Sequence, residues 1–157
     1  SRLTKLREDP VIEEQQVKVR VIGRRTDLSA EMNEEIDRIE AKTRDYSQFQ
    51  LNIALSYGGR AEIIDAVKRI AGELLDQQLK IEDVSEDLMS QYLYTEGIPD
   101  PDLIIRTSGE ERLSGFMLWQ SAYSELYFTQ VYWPAFRMID FWRAIRTYQQ
   151  RERRYGR

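Results

Sequence analysis

Between residues 17 and 23 the chain alternates apolar and charged positions, VKVRVIG, and the alternation stops at Gly23. A period of two predicts a β-strand with one face buried, and the glycine predicts its exit into a loop. QLNIALSY (50–57) repeats the signal, with Leu51, Ile53 and Leu55 on one side and Gly58-Gly59 behind it. DLIIRT (102–107) is a third, shorter strand that follows a turn between Pro99 and Pro101 and ends at Arg106. Between the strands the period lengthens. Met32, Ile36 and Ile39 fall on one face of a helix that Ser29 can cap. Ile63, Val67, Ile70 and Leu74 recur at helical spacing after the two glycines. Ser85, followed by Glu86 and Asp87, marks a further helix start, with acids suited to the positive end of the dipole. A last helix is predicted over 138–153, with Phe141, Ile145 and Tyr148 inward and arginines outward. Strands alternating with helices of this length form βαβ units. The predicted class is α/β, a central parallel sheet flanked by helices, in a single domain covering 1–157 with no internal repeat or low-complexity linker.

Composition narrows the chemistry more than the fold. At 157 residues, 41% hydrophobic and 32% charged, the chain suits one ordinary globular domain with a real core. No apolar run approaches the length that spans a bilayer. The first residues, SRLTKLRED, are too polar for a secretory signal. They begin without methionine, the pattern of a chain processed or cut from something longer. With no cysteine there is no disulfide framework, thiol nucleophile or zinc ribbon, which fits a reducing compartment. With no histidine there is no Ser-His-Asp triad and no HExxH metal site. Chemistry is left to carboxylates, arginines, hydroxyls, backbone amides and a hard cation. A net charge of −4 argues against wholesale nucleic-acid binding. The charge is uneven, though: 143–157 holds six arginines against one glutamate.

In open parallel sheets, ligands gather outside the carboxyl ends of the strands. Two loops lie there. SYGGRAEI (56–63) reads either as an anion site at a helix N-terminus or as a tight turn eased by glycine. The second reading is the stronger, because the segment lacks a Walker lysine and the full GxGxxG spacing. The other loop, RTSGEERLSGF (106–116), carries Arg106, Arg112 and Ser114 across a flexible turn. Two guanidiniums and a hydroxyl suit a phosphate or diphosphate. They equally suit surface ion pairs with Glu110, Glu111 or Glu125. Glu125 lies within AYSELYF, where an unpaired carboxylate would be expensive. It needs an arginine or a cation; chemistry alone favours the arginine, while Mg²⁺ held jointly by carboxylate and diphosphate oxygens would satisfy both groups. The aromatics Phe116, Trp119, Tyr123, Tyr127 and Phe128 are the usual material of a core.

DPDLIIRTSGEERLSGFMLWQSAYSELYF (100–128) closely resembles the signature of the cis-prenyltransferases, the undecaprenyl diphosphate synthase family. VRVIG (19–23), LNIALSYGGRAEI (51–63) and RERRYG (151–156) resemble further segments of that family in the same order. RLSGF departs at Gly115, where many bacterial members carry asparagine. The resemblance implies that Arg106, Arg112 and Ser114, with the backbone of Leu113, bind the diphosphate of isopentenyl diphosphate. It implies that Glu125 is a Mg²⁺ ligand, and that Arg154 and Gly156 of the Arg-x-G tail complete a site across a homodimer interface. The expected reaction condenses isopentenyl diphosphate onto an allylic diphosphate to build a cis-polyprenyl diphosphate. An anionic head on a hydrocarbon tail explains why an arginine-rich loop sits beside apolar residues.

The family also carries an Asp-Gly-Asn-x-Arg motif and a Ser-Thr-Glu-Asn segment, and neither occurs here. The catalytic residues are therefore expected in an amino-terminal segment absent from this chain, together with the first strands of the sheet. The chain resembles the carboxyl-terminal portion of such an enzyme. The alternative is a non-catalytic partner subunit of a heteromeric enzyme. A cytoplasmic protein that touches a membrane to release its lipid is the expected setting, by analogy.

Overall fold

The computed structural model describes residues 2–151 as two compact units, one ending at Glu96 and one starting at Gly97. Arg154 and Gly156 lie outside the described residues.

The first unit opens with two short helices, α1 (Arg2–Glu8) and α2 (Pro10–Glu14). Asp9 breaks between them: its side chain accepts the Val11 N–H at 3.0 Å, and Pro10 takes the first turn, where a missing N–H costs nothing. β1 (Val17–Ile22) pairs in parallel with β2 (Phe49–Ala54), Val19 beside Leu51 and Val21 beside Ile53. The crossover between them is α3 (Ala30–Lys42), capped as expected by Ser29, whose hydroxyl accepts the Met32 N–H. Ile36 and Ile39 are completely buried. They join Leu3 with Val21, and Ile12 with Val19, in two adjoining clusters on one face of the strands. Ile53 packs against both and Leu55 against the first, whereas Leu51 is exposed.

The outer edge of β1 is closed by side chains. Val19 N–H donates to Thr43 Oγ1 at 3.0 Å and Val21 N–H to Glu40 Oε1 at 2.7 Å, which satisfies strand donors that would otherwise invite another chain. On the opposite face Arg20 reaches the carbonyls of Tyr94 and Glu96. α4 (Gly59–Leu75) and α5 (Glu86–Tyr92, capped by Ser85) complete the unit. α4 turns differently from the expectation. Its buried positions are Gly59, Glu62, Ala66 and Ile70, and Val67 is half exposed.

The second unit pairs β3 (Leu103–Arg106) in parallel with β4 (Glu125–Phe128). α6 (Met138–Gln150) packs against β4. Within α6 the fully covered residues are Asp140 and Ala144; Ile145 and Tyr148 are half-buried, while Phe141 is exposed rather than inward. Asp140 is buried because it caps its own helix, accepting the Arg137 N–H at 3.1 Å and a bond from Arg143. The class is parallel α/β, as the alternation of periods predicts, with the described strands arranged as two parallel pairs.

Candidate functional site

Arg106 is the last residue of β3, so a strand end fixes where its side chain starts. Past it the chain doubles back twice. Ser108 and Gly109 are both left-handed, and so are Ser114 and Gly115. The first reversal is pinned to the segment after β4, with Ser108 N–H donating to Val131 O and Gly109 N–H to Thr129 O, each at 2.9 Å. This folding brings Arg112 and Ser114 back over Arg106. The Arg106 Nη1 donates to the Arg112 carbonyl and, at 3.1 Å, to Ser114 Oγ. Neither partner is charged, so these bonds orient the guanidinium without cancelling its charge. Arg112 is treated differently: its Nη2 lies 2.6 Å from Glu110 Oε2. The surface ion pair weighed from composition is therefore present at Arg112.

Beside Arg106 a cleft of about 330 Å³ opens, lined by Ile104, Ile105, Thr107, Ser108, Leu113 and Phe116. That is the lower end of the roughly 300–1,000 Å³ typical of ligand sites. One rim is a guanidinium and two hydroxyl-bearing residues; the walls are aliphatic and aromatic. Phe116, an ordinary core candidate on composition, is 40% exposed and forms part of this wall. A larger cleft of about 540 Å³ runs along the outer edge of β1. It mixes Lys18, Arg20 and Arg44 with Asp37 and Glu40 around Val19 and Ala41. Its acids are already engaged by Arg25 and by the β1 backbone, so size alone does not make it the better candidate.

Glu125 is not brought to this cluster. It stands opposite Leu103 at the start of the β3–β4 ladder, whereas Arg106 stands opposite Phe128 at its end. Three rungs at about 3.3 Å separate them by roughly 10 Å, and an odd number of steps puts them on opposite faces. Glu125 Oε2 is held instead by Arg151 Nη1 at 2.6 Å, and the same nitrogen reaches the Leu126 carbonyl at 3.2 Å. The carboxylate in its apolar segment found an arginine. Among the described residues no three acidic side chains converge as a metal cage.

Sequence reasoning passed over a polar network in the first unit. Arg24 follows β1 and grips Asp65 of α4 with two bonds of 2.9 Å. Tyr94 donates its hydroxyl to the same carboxylate. One turn earlier on α4, the fully buried Glu62 accepts from the Tyr57 hydroxyl at 2.5 Å and from the Tyr94 N–H at 2.9 Å. The Arg24 hydrogen bond, with help from Tyr94, holds the Asp65 carboxyl below its usual range, while burial, aided by Asp65, pushes the Tyr94 phenol up. The network ties the carboxyl ends of β1 and β2 to α4. The available sequence signal was Glu62 itself, an acid among the apolar positions of a helix. In the 56–63 loop the left-handed residue is Ser56, whereas Gly58 is extended. Glycine there is not relieving a positive φ.

Residues 2–156 match the family described as "Putative undecaprenyl diphosphate synthase". The chain is 56% identical over 157 residues to an isoprenyl transferase of Thermus thermophilus, covering 98% of this chain and 60% of that protein. It is 51% identical over 152 residues to the tritrans,polycis-undecaprenyl-diphosphate synthase (geranylgeranyl-diphosphate specific) of Thermoplasma acidophilum, covering 97% and 59%. The chain therefore spans about three fifths of the length of these relatives. Among solved structures, it resembles lavandulyl diphosphate synthase from Lavandula x intermedia in complex with dimethylallyl diphosphate. The TM-score is 0.93 at 32% identity, covering 99% of this chain and 66% of that one. A probable undecaprenyl diphosphate synthase from Campylobacter jejuni gives 0.83 at 34% identity, covering 99% and 69%.

Proposed function

The chain belongs to the undecaprenyl diphosphate synthase family, the cis-prenyltransferases, and on that premise we propose that it supplies the isopentenyl diphosphate site of an enzyme making a cis-polyprenyl diphosphate. It is read as the carboxyl-terminal portion of one such domain. The observation that carries the proposal is the Arg106 guanidinium, oriented by Ser114, at the rim of a cleft walled by Ile104, Ile105, Leu113 and Phe116. Arg106 and Arg112 grip the diphosphate through planar forks, with Ser114 and the Leu113 backbone beside them. The short apolar cleft takes the isopentenyl group. Holding head and tail at once fixes where the double bond points, so the chain's contribution is alignment of a nucleophile whose position would otherwise wander. Its fixed positive charge also stabilises the anionic head without solvent reorganisation.

The allylic primer belongs to the same proposal. Geranylgeranyl diphosphate is the primer named for the Thermoplasma relative, while the Thermus relative's name specifies none. The groups that hold the primer and move the proton are assigned to the part of the relatives that this chain does not span. Magnesium dependence is proposed from the family. The described residues alone do not fit the ion, because Glu125 is paired with Arg151 and stands apart from Arg106. A homodimer located in the cytoplasm and touching a membrane surface is carried by resemblance to the family. No helix among the described residues is long and apolar enough to cross a membrane.

The test extends the chain at its amino terminus to the length of its relatives, including an Asp-Gly-Asn segment, and follows labelled isopentenyl diphosphate into extractable lipid. Incorporation that needs an allylic primer, and that falls about tenfold or more in Arg106→Ala, as loss of a charge-assisted contact requires, supports the proposal. Incorporation indifferent to Arg106, or none in the extended chain, rejects it.

A further inference from the structure

The two arginines of the clamp are occupied in unlike ways. Arg106 bonds neutral oxygens, the Arg112 carbonyl and Ser114 Oγ. Arg112 is paired with a carboxylate two residues earlier on the same loop, Glu110, at 2.6 Å. A carboxylate presents two oxygens to a guanidinium much as a phosphate does. Glu110 thus fills the position on Arg112 that a phosphoryl group would need, while Arg106 keeps an uncancelled charge.

We propose that Glu110 is a displaceable internal stand-in for the diphosphate and thereby sets the affinity of the clamp, a role that rests on the isopentenyl diphosphate reading above. An incoming diphosphate meets Arg106 first, because nothing charged need leave. Its second phosphoryl group then exchanges with Glu110 on Arg112, so the second contact is made at the expense of an existing ion pair. The loop allows the exchange: Glu110 sits just past the left-handed pair Ser108 and Gly109, whose amides stay anchored to Thr129 and Val131. The side chain of Glu110 can swing without moving the anchor. The pair is also weak enough to break, with Arg112 68% and Glu110 41% exposed, and solvent screens such contacts strongly. Exposed pairs of this kind shift an equilibrium about two- to fivefold, and that range bounds the effect. The stand-in lowers affinity modestly and holds the Arg112 side chain to its own loop when no anion is bound.

The experiment titrates inorganic pyrophosphate into the chain by calorimetry at low ionic strength. The proteins are wild type, Glu110→Gln, Glu111→Gln and Arg106→Ala. Glu110→Gln keeps size and hydrogen bonding but removes the charge; Glu111→Gln removes the same charge one residue along. The stand-in predicts that Glu110→Gln binds about two- to fivefold tighter, that Glu111→Gln changes less, and that the gain shrinks with added salt. If wild type binds and loses binding in Arg106→Ala, but Glu110→Gln is no tighter or Glu111→Gln gains as much, the stand-in is wrong and the clamp stands. If wild type fails to bind, or Arg106→Ala binds as well as wild type, the clamp and the stand-in fall together.

Discussion

Gly23 and Gly109 look alike by two measures, a positive φ and a crowded space where a side chain would go, yet alanine should affect them very differently. At Gly23 φ is +127°, outside the left-handed basin that L residues can reach. An added Cβ would lie 1.9 Å from the Leu55 carbonyl oxygen and 3.0 Å from its carbon, both backbone atoms. They cannot swing aside without parting the end of the β1–β2 pair, where Leu55 N–H donates to Ile22 O at 2.9 Å and Arg24 N–H to Ser56 O at 3.1 Å. A forbidden backbone conformation costs about 1–3 kcal/mol, and two lost hydrogen bonds cost about 1 kcal/mol each. The sum for Gly23→Ala is about 3–5 kcal/mol. At Gly109 φ is +74° and the nearest atom is Gln130 Oε1 at 2.3 Å, the far end of a flexible side chain that can rotate away. What remains is the left-handed penalty, about 1–2 kcal/mol. Urea unfolding followed by far-UV circular dichroism measures both. Equal costs, or a Gly23→Ala protein within about 1 kcal/mol of wild type, would refute the reasoning that backbone crowding dominates.

Two further outcomes follow from the first unit. Asp65 has its carboxyl pKa lowered on folding, first by Arg24 and then by Tyr94. Its contribution is complete above the carboxyl's unfolded pKa and is lost as pH falls through the lower folded value. Asp65→Asn should therefore flatten the acid side of the stability-versus-pH curve, read from urea midpoints at a series of pH values; an unchanged acid slope would contradict this. Ile36→Ala removes a completely buried side chain between Leu3 and Val21 and should cost about 2–5 kcal/mol by the same unfolding measurement. A loss under about 1 kcal/mol would mean that the α1–α3 layer is not the core.

Local signals in the sequence carried well where one residue's chemistry decides the outcome. Ser29 and Ser85 cap helices because a hydroxyl placed before an apolar repeat has orphan N–H groups to satisfy. VKVRVIG and DLIIRT are strands because alternation or a short branched apolar run leaves the backbone little else to do. The buried face of α4 was misjudged because the apolar count pointed to Val67. Glu62 turns inward instead, to meet Tyr57 and the Tyr94 backbone, and Ala66 follows it. The strand at ELYF was hidden in a run of aromatics that reads equally as helix or loop. At the site, Arg106, Arg112 and Ser114 were legible as one cluster because a single loop joins them. Glu125 was not separable from them by sequence alone. Its distance from Arg106 depends on which rung of β3 it faces, and pairing register leaves no mark on a lone strand. Its need for a partner was visible, and Arg151 meets it.

Arg106 is proposed to read the diphosphate of an isoprenoid whose tail enters the adjoining cleft. Calorimetric titration of isopentenyl diphosphate against wild type and Arg106→Ala tests this directly, with unfolding curves to show that both are folded. Loss of a charge-assisted contact, about 1.5–3 kcal/mol, predicts affinity about ten- to a hundredfold weaker in Arg106→Ala. Equal affinity in the two folded proteins would contradict it.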